Sequence, residues 1–230
     1  MRKFDTYTET DSMGRLVCEN YRVLLVMSRF GLGLGFGSKS IGEVCREQGV
    51  DTATFLTVVN MLLNEDSGSY SVSDISVDSL VNYLHQSHDY FLDFRLPAIR
   101  AKLVETVGQE DKLSKAIINY FDGYVEEVQK HMQYEETRVF SYVRKLTTGQ
   151  DTEGYTIKVF GKQHSQVEAR LTEFKNILIR FYPSHSSNEI NSVLFDIFNC
   201  EHDLASHNAI EDHLFIPAIE ALEAKKGLRT

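Results

Sequence analysis

A histidine spacing that occurs twice along the chain constrains its fold more than any other feature. His131 follows His88 at the same distance in sequence as His207 follows His164. The second pair is therefore a copy of the first, displaced along the chain by the offset from His88 to His164, which we call the hairpin offset. Because an α-helix rises about 1.5 Å per residue, two helices joined by a turn midway between the histidines would bring each pair to one level. The spacing therefore predicts two similar helical hairpins.

Two glutamates are related by the same hairpin offset. Glu135 and Glu211 each lie four residues after a histidine, in HMQYEETRVF (131–140) and HNAIEDHLFI (207–216). Residues four apart share a helix face, and the apolar residues that continue this face indicate that it points inward. Buried imidazoles and carboxylates are costly unless they are paired or bind a metal. Four histidines and two glutamates suit two first-row metal ions, iron most naturally.

A single His-x-x-x-Glu pair is weak evidence, because four of the eight histidines have a glutamate four residues on. The alternative for any one pair is a hydrogen bond on a solvated helix surface. The matched spacing of the two hairpins favours the metal site. Glu168, four residues after His164, is either an acceptor behind a metal ligand or, as we favour, a surface residue. His85, one turn before His88, and Tyr134 are further candidates to support the site, although packing is the favoured role of Tyr134.

Apolar residues recur at helical spacing through most of the chain, which contains three prolines. This pattern predicts an all-α protein. The polar segment NEDSGSYSVSD (64–74) predicts a boundary between a small N-terminal helical domain (1–70) and a larger domain (75–230). Turn signals divide the larger domain into four helices, at about 78–107, 111–146, 155–182 and 188–227. Their short connections favour an up-down-up-down four-helix bundle.

Composition argues against several classes of function. A net charge of −9 without a block of basic residues disfavours a nucleic-acid or anionic-membrane surface. The first residues, MRKFDTYTETDSMG, lack the apolar run of a secretory signal. No apolar stretch approaches the roughly 20 residues of a membrane span, and three widely spaced cysteines indicate a reducing compartment. We therefore expect a cytoplasmic protein that does not insert into membranes.

The stretches that carry the predicted ligands resemble a hemerythrin-like domain, specifically that of the "repair of iron centers" family of di-iron proteins. The matching stretches are HDYFLDFRLPAI (88–99), HMQYEETRVF (131–140), GKQHSQVEARL (161–171) and SHNAIEDHLFIPAI (206–219). The resemblance spans about residues 78–222 and implies a hemerythrin-like bundle holding two non-heme iron ions. The implied ligands are His88, His131, Glu135, His164, His207 and Glu211, with the two glutamates bridging the irons. True hemerythrins use one more histidine and an aspartate on the last helix, an arrangement absent here, which favours the repair family.

The N-terminal segment resembles the small helical domain of the same family, where a Cys-Cys pair typically precedes glycines. Here that place reads LGLGFGSKS (32–40) and holds no cysteine, so thiol chemistry by such a pair is not expected. Cys45 falls within a helical pattern and is expected to be buried and inert. The stretch SIGEVCREQGVDTATFLTVVN (40–60) is typical of a helix-turn-helix with Gly49 at the turn. Its second helix carries no Lys or Arg, which disfavours DNA binding.

The resemblance implies a protein that binds O2, NO or peroxide at its irons. It would act in iron–sulfur cluster repair or in the response to nitrosative and oxidative stress, with an iron–sulfur protein as client. The alternative is a gas- or redox-sensing regulator whose helix-turn-helix-like N-terminal domain binds DNA or a protein partner. The sequence leaves open whether the protein is an enzyme and whether it forms a homodimer.

Overall fold

The structure, a computed structural model, describes residues 6–64, 74–150, 152, 154–160, 165–183 and 187–227. Within these ranges the regular elements are helices, and an isolated antiparallel bridge joins Ser12 to Ser40. The prediction of an all-α protein is confirmed. In the described part of the chain, no helix is both long enough and apolar enough to cross a membrane.

Four short helices form the N-terminal part: α1 (Met13–Glu19), α2 (Val23–Arg29), α3 (Ile41–Glu47) and α4 (Thr52–Leu63). The hydroxyl of Ser40 accepts a hydrogen bond from the N–H of Glu43, whose carboxylate accepts one from the N–H of Ser40, and this capping box starts α3. Asp51 caps α4 by accepting from the N–H of Thr54. Gly49, between the two helices, has a φ of 72°, which favours glycine. The predicted helix-turn-helix shape is therefore present.

The remaining helices are longer, and three of them contain a segment of π-helix. The first consists of α5 (Val77–Asp89), π1 (Tyr90–Arg95) and α6 (Leu96–Val107). The second consists of α7 (Lys112–Tyr134), π2 (Glu135–Val139) and α8 (Phe140–Thr148). A 3-10 turn (Ile157–Val159) is followed by α9 (Ser165–Phe181). The last consists of α10 (Ser187–Ile210), π3 (Glu211–Phe215) and α11 (Ile216–Lys225).

These bounds lie within a few residues of the four predicted helices, except at the start of the third. That helix is predicted from about residue 155, whereas α9 begins at Ser165. The difference arises because residues 157–159 form a 3-10 turn that buries the side chains of Ile157 and Phe160. Residues 161–164 lie outside the described part of the chain.

The chain divides into two compact units, one of residues 88–209 and one of residues 1–87 with 210–230. In the first unit, α6, α7, α9 and α10 contribute to one hydrophobic core that includes the fully buried rings of Phe121 and Phe174. Polar contacts join each of these helices to two neighbours: Arg100–Asp122 (α6 to α7), Tyr120–Glu173 (α7 to α9), Lys175–Glu201 (α9 to α10) and Lys102–Asp196 (α6 to α10). A closed cycle of four helices around one core is a helical bundle, as predicted.

The second unit has its own apolar contacts. The ring of Phe30 packs against Phe55 at 5.5 Å and against Tyr83 at 4.9 Å between ring centroids. The guanidinium of Arg29 is buried and lies 3.4 Å from the hydroxyl of Tyr83. The predicted domain boundary at 64–74 falls almost entirely outside the described residues, so the division into 1–70 and 75–230 stays a prediction.

Candidate metal centre

The two predicted glutamate ligands lie where an α-helix changes to a π-helix. Glu135 is the first residue of π2 and Glu211 is the first residue of π3. At each place the backbone carbonyl of the glutamate accepts a hydrogen bond from the N–H five residues later, that of Phe140 or Ile216. π-Segments inside α-helices occur frequently at functional sites. The hairpin offset that relates the two glutamates therefore also relates the two π-segments.

Proline accounts for two of the three π-segments. Pro97 and Pro217 are each the second residue of the α-helix that follows π1 or π3. A proline has no N–H, and its ring crowds the carbonyl four residues earlier, so the preceding turn is wider. The residue that corresponds to Pro217 in the helix after π2 is Ser141, so no proline explains the π2 segment.

Four of the six predicted ligands come together in the interior. His88, Glu135, His207 and Glu211 each offer one ligand atom, and these atoms lie within 4.8 Å of one another. The exposed fraction is 2% for His88 and 0% for the other three residues. Two ionised carboxylates within 4.8 Å of each other would repel by about 3 kcal/mol or more at an effective dielectric constant of roughly 20. A bound cation would remove that cost, so the donor set and its burial fit a metal ion.

Glu135 contacts two histidines with different oxygens. Its Oε2 lies 2.8 Å from Nε2 of His88, and its Oε1 lies 2.8 Å from Nε2 of His131. The side chain of His131 is 9% exposed, so it lies at the edge of the buried group. Glu135 therefore directs each carboxylate oxygen toward a separate imidazole nitrogen, and all four of these atoms are of the kinds that bind metal ions.

The ring of His88 contacts two neighbouring rings, and its Nδ1 nitrogen forms a hydrogen bond. Nδ1 donates a hydrogen bond of 2.7 Å to the carboxylate of Glu136. The ring stacks on that of Phe140 with centroids 5.5 Å apart and planes 7° apart, and its centroid lies 5.2 Å from that of the His207 ring, with the two planes inclined at 61°. A carboxylate behind a ligand histidine fixes the tautomer and orients the other nitrogen toward the metal. Nε2 of His88 is therefore the nitrogen available to a metal.

The electrostatics of this group follow from burial and from these contacts. Burial by itself lowers the pKa of His88, but hydrogen bonds to Glu135 and Glu136 outweigh it, so the pKa is raised. Burial raises the pKa of Glu135, but hydrogen bonds from His131 and His88 outweigh it, so the pKa is lowered. Protons and metal ions would therefore compete for Nε2 of His88, as they do at most metal sites.

The other predicted residues have different surroundings. His85 is exposed on α5, and the hydroxyl of half-buried Tyr134 lies 3.2 Å from that of Tyr155. His164 and the side chain of Glu168 lie outside the described part of the chain, so their roles stay predictions. Sequence reasoning missed the roles of Glu136 and Phe140. The only sequence signal for Glu136 is that an acid, Asp212, occupies the corresponding place of the second hairpin.

The comparison with protein families identifies the domain that contains these residues. The model of the hemerythrin HHE cation-binding domain matches residues 79–219, which is more than half of the chain. The comparison with curated protein sequences finds no match. The matched range includes all six predicted ligands and the three π-segments. The chain belongs to the hemerythrin HHE cation-binding family.

Proposed function

We propose that this protein holds two non-heme iron ions and binds O2, NO or peroxide at them. The observation that carries the proposal is the position of Glu135, whose two carboxylate oxygens contact two different histidines inside the protein. Nitrogen and carboxylate ligands in a helical bundle are those of di-iron sites. The ligand set we propose is His88, His131, Glu135, His164, His207 and Glu211.

The side chains around this site would fix the ligands and exclude water. Glu135 and Glu211 have no solvent exposure, and the rings of Phe91 and Phe140, which pack against His207 and His88, are also buried. Glu136 would keep Nδ1 of His88 protonated, so that Nε2 offers its lone pair to the metal. Six ligands shared between two irons would leave coordination positions for a small molecule, which is the chemistry that the metal supplies.

We further propose a role in iron–sulfur cluster repair or in the response to nitrosative and oxidative stress in the cytoplasm, with an iron–sulfur protein as client. Support for this role is the resemblance of residues 78–222 to the repair family. The cysteines would not take part as a vicinal pair, because residues 32–40, where the family carries that pair, contain no cysteine. Cys45 is fully buried, as expected from the sequence, and burial raises its pKa to about 11. The metal site would therefore carry the reaction.

A titration with gas tests the proposal. Protein purified without oxygen and loaded with ferrous ions would be exposed separately to O2 and to NO, and its optical spectrum would be recorded. We expect new visible bands that are absent from a Glu135→Ala variant treated in the same way. Reactivation of a damaged iron–sulfur enzyme by the loaded protein, and not by the variant, would support the repair role. A spectrum that neither gas changes would contradict the binding of these ligands.

A regulatory role is a second candidate, favoured by the helix-turn-helix shape of α3 and α4. Within the described part of the chain, several cations near these helices are paired with acids: Arg15 with Asp11, Lys39 with Glu47 and Arg46 with Glu9. Paired cations attract phosphate weakly, so a protein partner suits this surface better than DNA. A pull-down whose yield depends on oxidation of the protein would favour the regulator, and a yield independent of oxidation would count against it.

A further inference from the structure

A cavity of about 360 Å³ opens beside the helix that carries Glu135. Most of its wall comes from one face of α7, π2 and α8, where Tyr134, Arg138, Tyr142 and Lys145 follow one another at steps of three or four residues. Thr152 and Tyr155, from the segment after α8, close the other side. The volume is within the range of about 300–1,000 Å³ that small-molecule sites occupy. We call it the tyrosine cavity.

The tyrosines give the tyrosine cavity a fixed aromatic wall. The ring of Tyr155 packs against that of Tyr142, with centroids 4.8 Å apart, and its hydroxyl lies 3.2 Å from that of Tyr134. The N–H of Tyr155 donates to the carbonyl of Thr152 at 3.0 Å, which ties the closing segment together. Aromatic faces and hydroxyl groups in one wall suit a ligand that has both an apolar body and polar atoms.

The charged side chains among the described lining residues of the tyrosine cavity are cations. Among its described lining residues, Arg138 and Lys145 are cations and none is an acid, although the net charge of the chain is −9. Arg138 is exposed, and no ion pair engages it within the described residues. A guanidinium that is not already paired can bind a carboxylate or a phosphate with two hydrogen bonds.

We propose that the tyrosine cavity binds an organic anion. Its carboxylate or phosphate group would lie at Arg138, and its apolar or aromatic body would lie against Tyr142 and Tyr155. A bare inorganic anion would contact only part of the wall of this 360 Å³ cavity and would leave its aromatic rings without a partner. The proposal does not depend on iron at the metal site, since none of these side chains belongs to the predicted ligand set.

Calorimetric titration with three probes tests the proposed chemistry. Phenyl phosphate carries both the anion and the ring, inorganic phosphate carries only the anion, and phenol carries only the ring. We expect phenyl phosphate to bind about tenfold more tightly than either partial probe, because only it uses both walls of the cavity. The chain has no tryptophan and eleven tyrosines, so quenching of tyrosine fluorescence gives a second readout of the same titration.

Substitutions in and near the tyrosine cavity test whether phenyl phosphate binds there. Arg138→Gln should weaken phenyl phosphate binding by about tenfold, because it removes a charge-assisted contact. Arg144→Gln and Lys130→Gln are matched controls, since these cations are exposed on the same helix outside the cavity lining. Tyr155→Phe keeps the ring and tests the hydroxyl contact with Tyr134. Helical circular dichroism would show that each variant is folded.

Three outcomes would overturn the proposal. One is the absence of phenyl phosphate binding to the folded protein. Another is an equal loss of binding in Arg144→Gln and Arg138→Gln, which would mean a diffuse electrostatic attraction. The third is binding of inorganic phosphate as tight as that of phenyl phosphate, because the aromatic wall would then contribute nothing.

Discussion

Glu135 Oε2 and His88 Nε2 lie 2.8 Å apart, although the two residues belong to different helices. Both side chains are almost completely buried. The contact places a carboxylate against an imidazole, and each of these groups has a second partner, His131 for Glu135 and Glu136 for His88. Three separate stretches of chain, including the one that carries His207 and Glu211, thus define the geometry of the candidate metal centre.

The hydrogen bond from His88 to Glu136 predicts an effect on metal affinity. Glu136→Gln should weaken metal binding by about 10–100-fold, because the amide replaces the carboxylate that orients the histidine. A chelator competition measures the change. Glu126→Gln, at an exposed position of α7, is the matched control and should retain the affinity of the parent protein. Equal affinity of the two variants would contradict the orienting role of Glu136.

The cysteines should differ in reactivity. Cys18 is exposed, whereas Cys45 and Cys200 are buried. Burial raises the pKa of Cys45 to about 11, so its thiolate is scarce below that pH and forms as the pH rises toward that value. We expect alkylation at pH 8 to label Cys18 alone in the folded protein and all three cysteines after denaturation. Mass spectrometry of the peptides identifies the labelled cysteines. Rapid labelling of Cys45 at pH 8 in the folded protein would contradict the prediction.

The bundle core predicts a large stability difference between two phenylalanines. Phe121 is fully buried in the hydrophobic core, whereas Phe195 is 68% exposed. Phe121→Ala should lower the free energy of unfolding by about 3–5 kcal/mol through lost burial and the remaining cavity. Phe195→Ala should change it by about 0.5 kcal/mol or less. Denaturant unfolding of the two variants gives the comparison, and similar values would contradict the assigned core.

The cap of α7 predicts a dependence of stability on pH. The N–H and the hydroxyl of Ser114 donate hydrogen bonds to Asp111 and lower its pKa from the usual 3.8. Because the folded state favours the carboxylate, this stabilisation is present above pH 3.8 and is lost as the pH falls through the lowered pKa. Asp111→Ala should therefore lower the melting temperature at pH 7, and its difference from the parent protein should shrink as the pH falls below 3.8.

Glu110→Ala is the control for this prediction, because Glu110 is exposed in the same turn. The melting temperature of this variant should stay close to that of the parent protein both at pH 7 and below pH 3.8. A difference between Asp111→Ala and the parent protein that persists unchanged at the lowest pH would contradict a contribution from the charged cap.

The sequence was sufficient to predict the helices and the convergence of four ligands. Helical periodicity and the hairpin offset determine which face of each helix is buried, and therefore place His88, Glu135, His207 and Glu211 together. Periodicity does not reveal π-segments, because an apolar stripe tolerates one extra residue per turn. Leu-Pro and Ile-Pro at 96–97 and 216–217 are the local signals for two of them.

Other features depend on tertiary contacts that a pattern along the chain does not encode. Glu136 is a half-exposed acid next to a buried one, and in sequence it is indistinguishable from a solvated residue. His85 lies three residues before His88, but its side chain is exposed. The tyrosine cavity exists because the segment at Thr152 and Tyr155 folds back on α7, π2 and α8, and residues from separate segments share no spacing that could predict such a site.

The iron content of protein purified without oxygen and offered ferrous ions tests the central claim most directly. Elemental analysis should find about two iron ions per chain in the parent protein, as expected for a di-iron bundle. The Glu135→Ala variant should retain its helical circular dichroism and lose most of this iron. A parent protein that binds no iron, or a Glu135→Ala variant that keeps its full complement, would contradict the account.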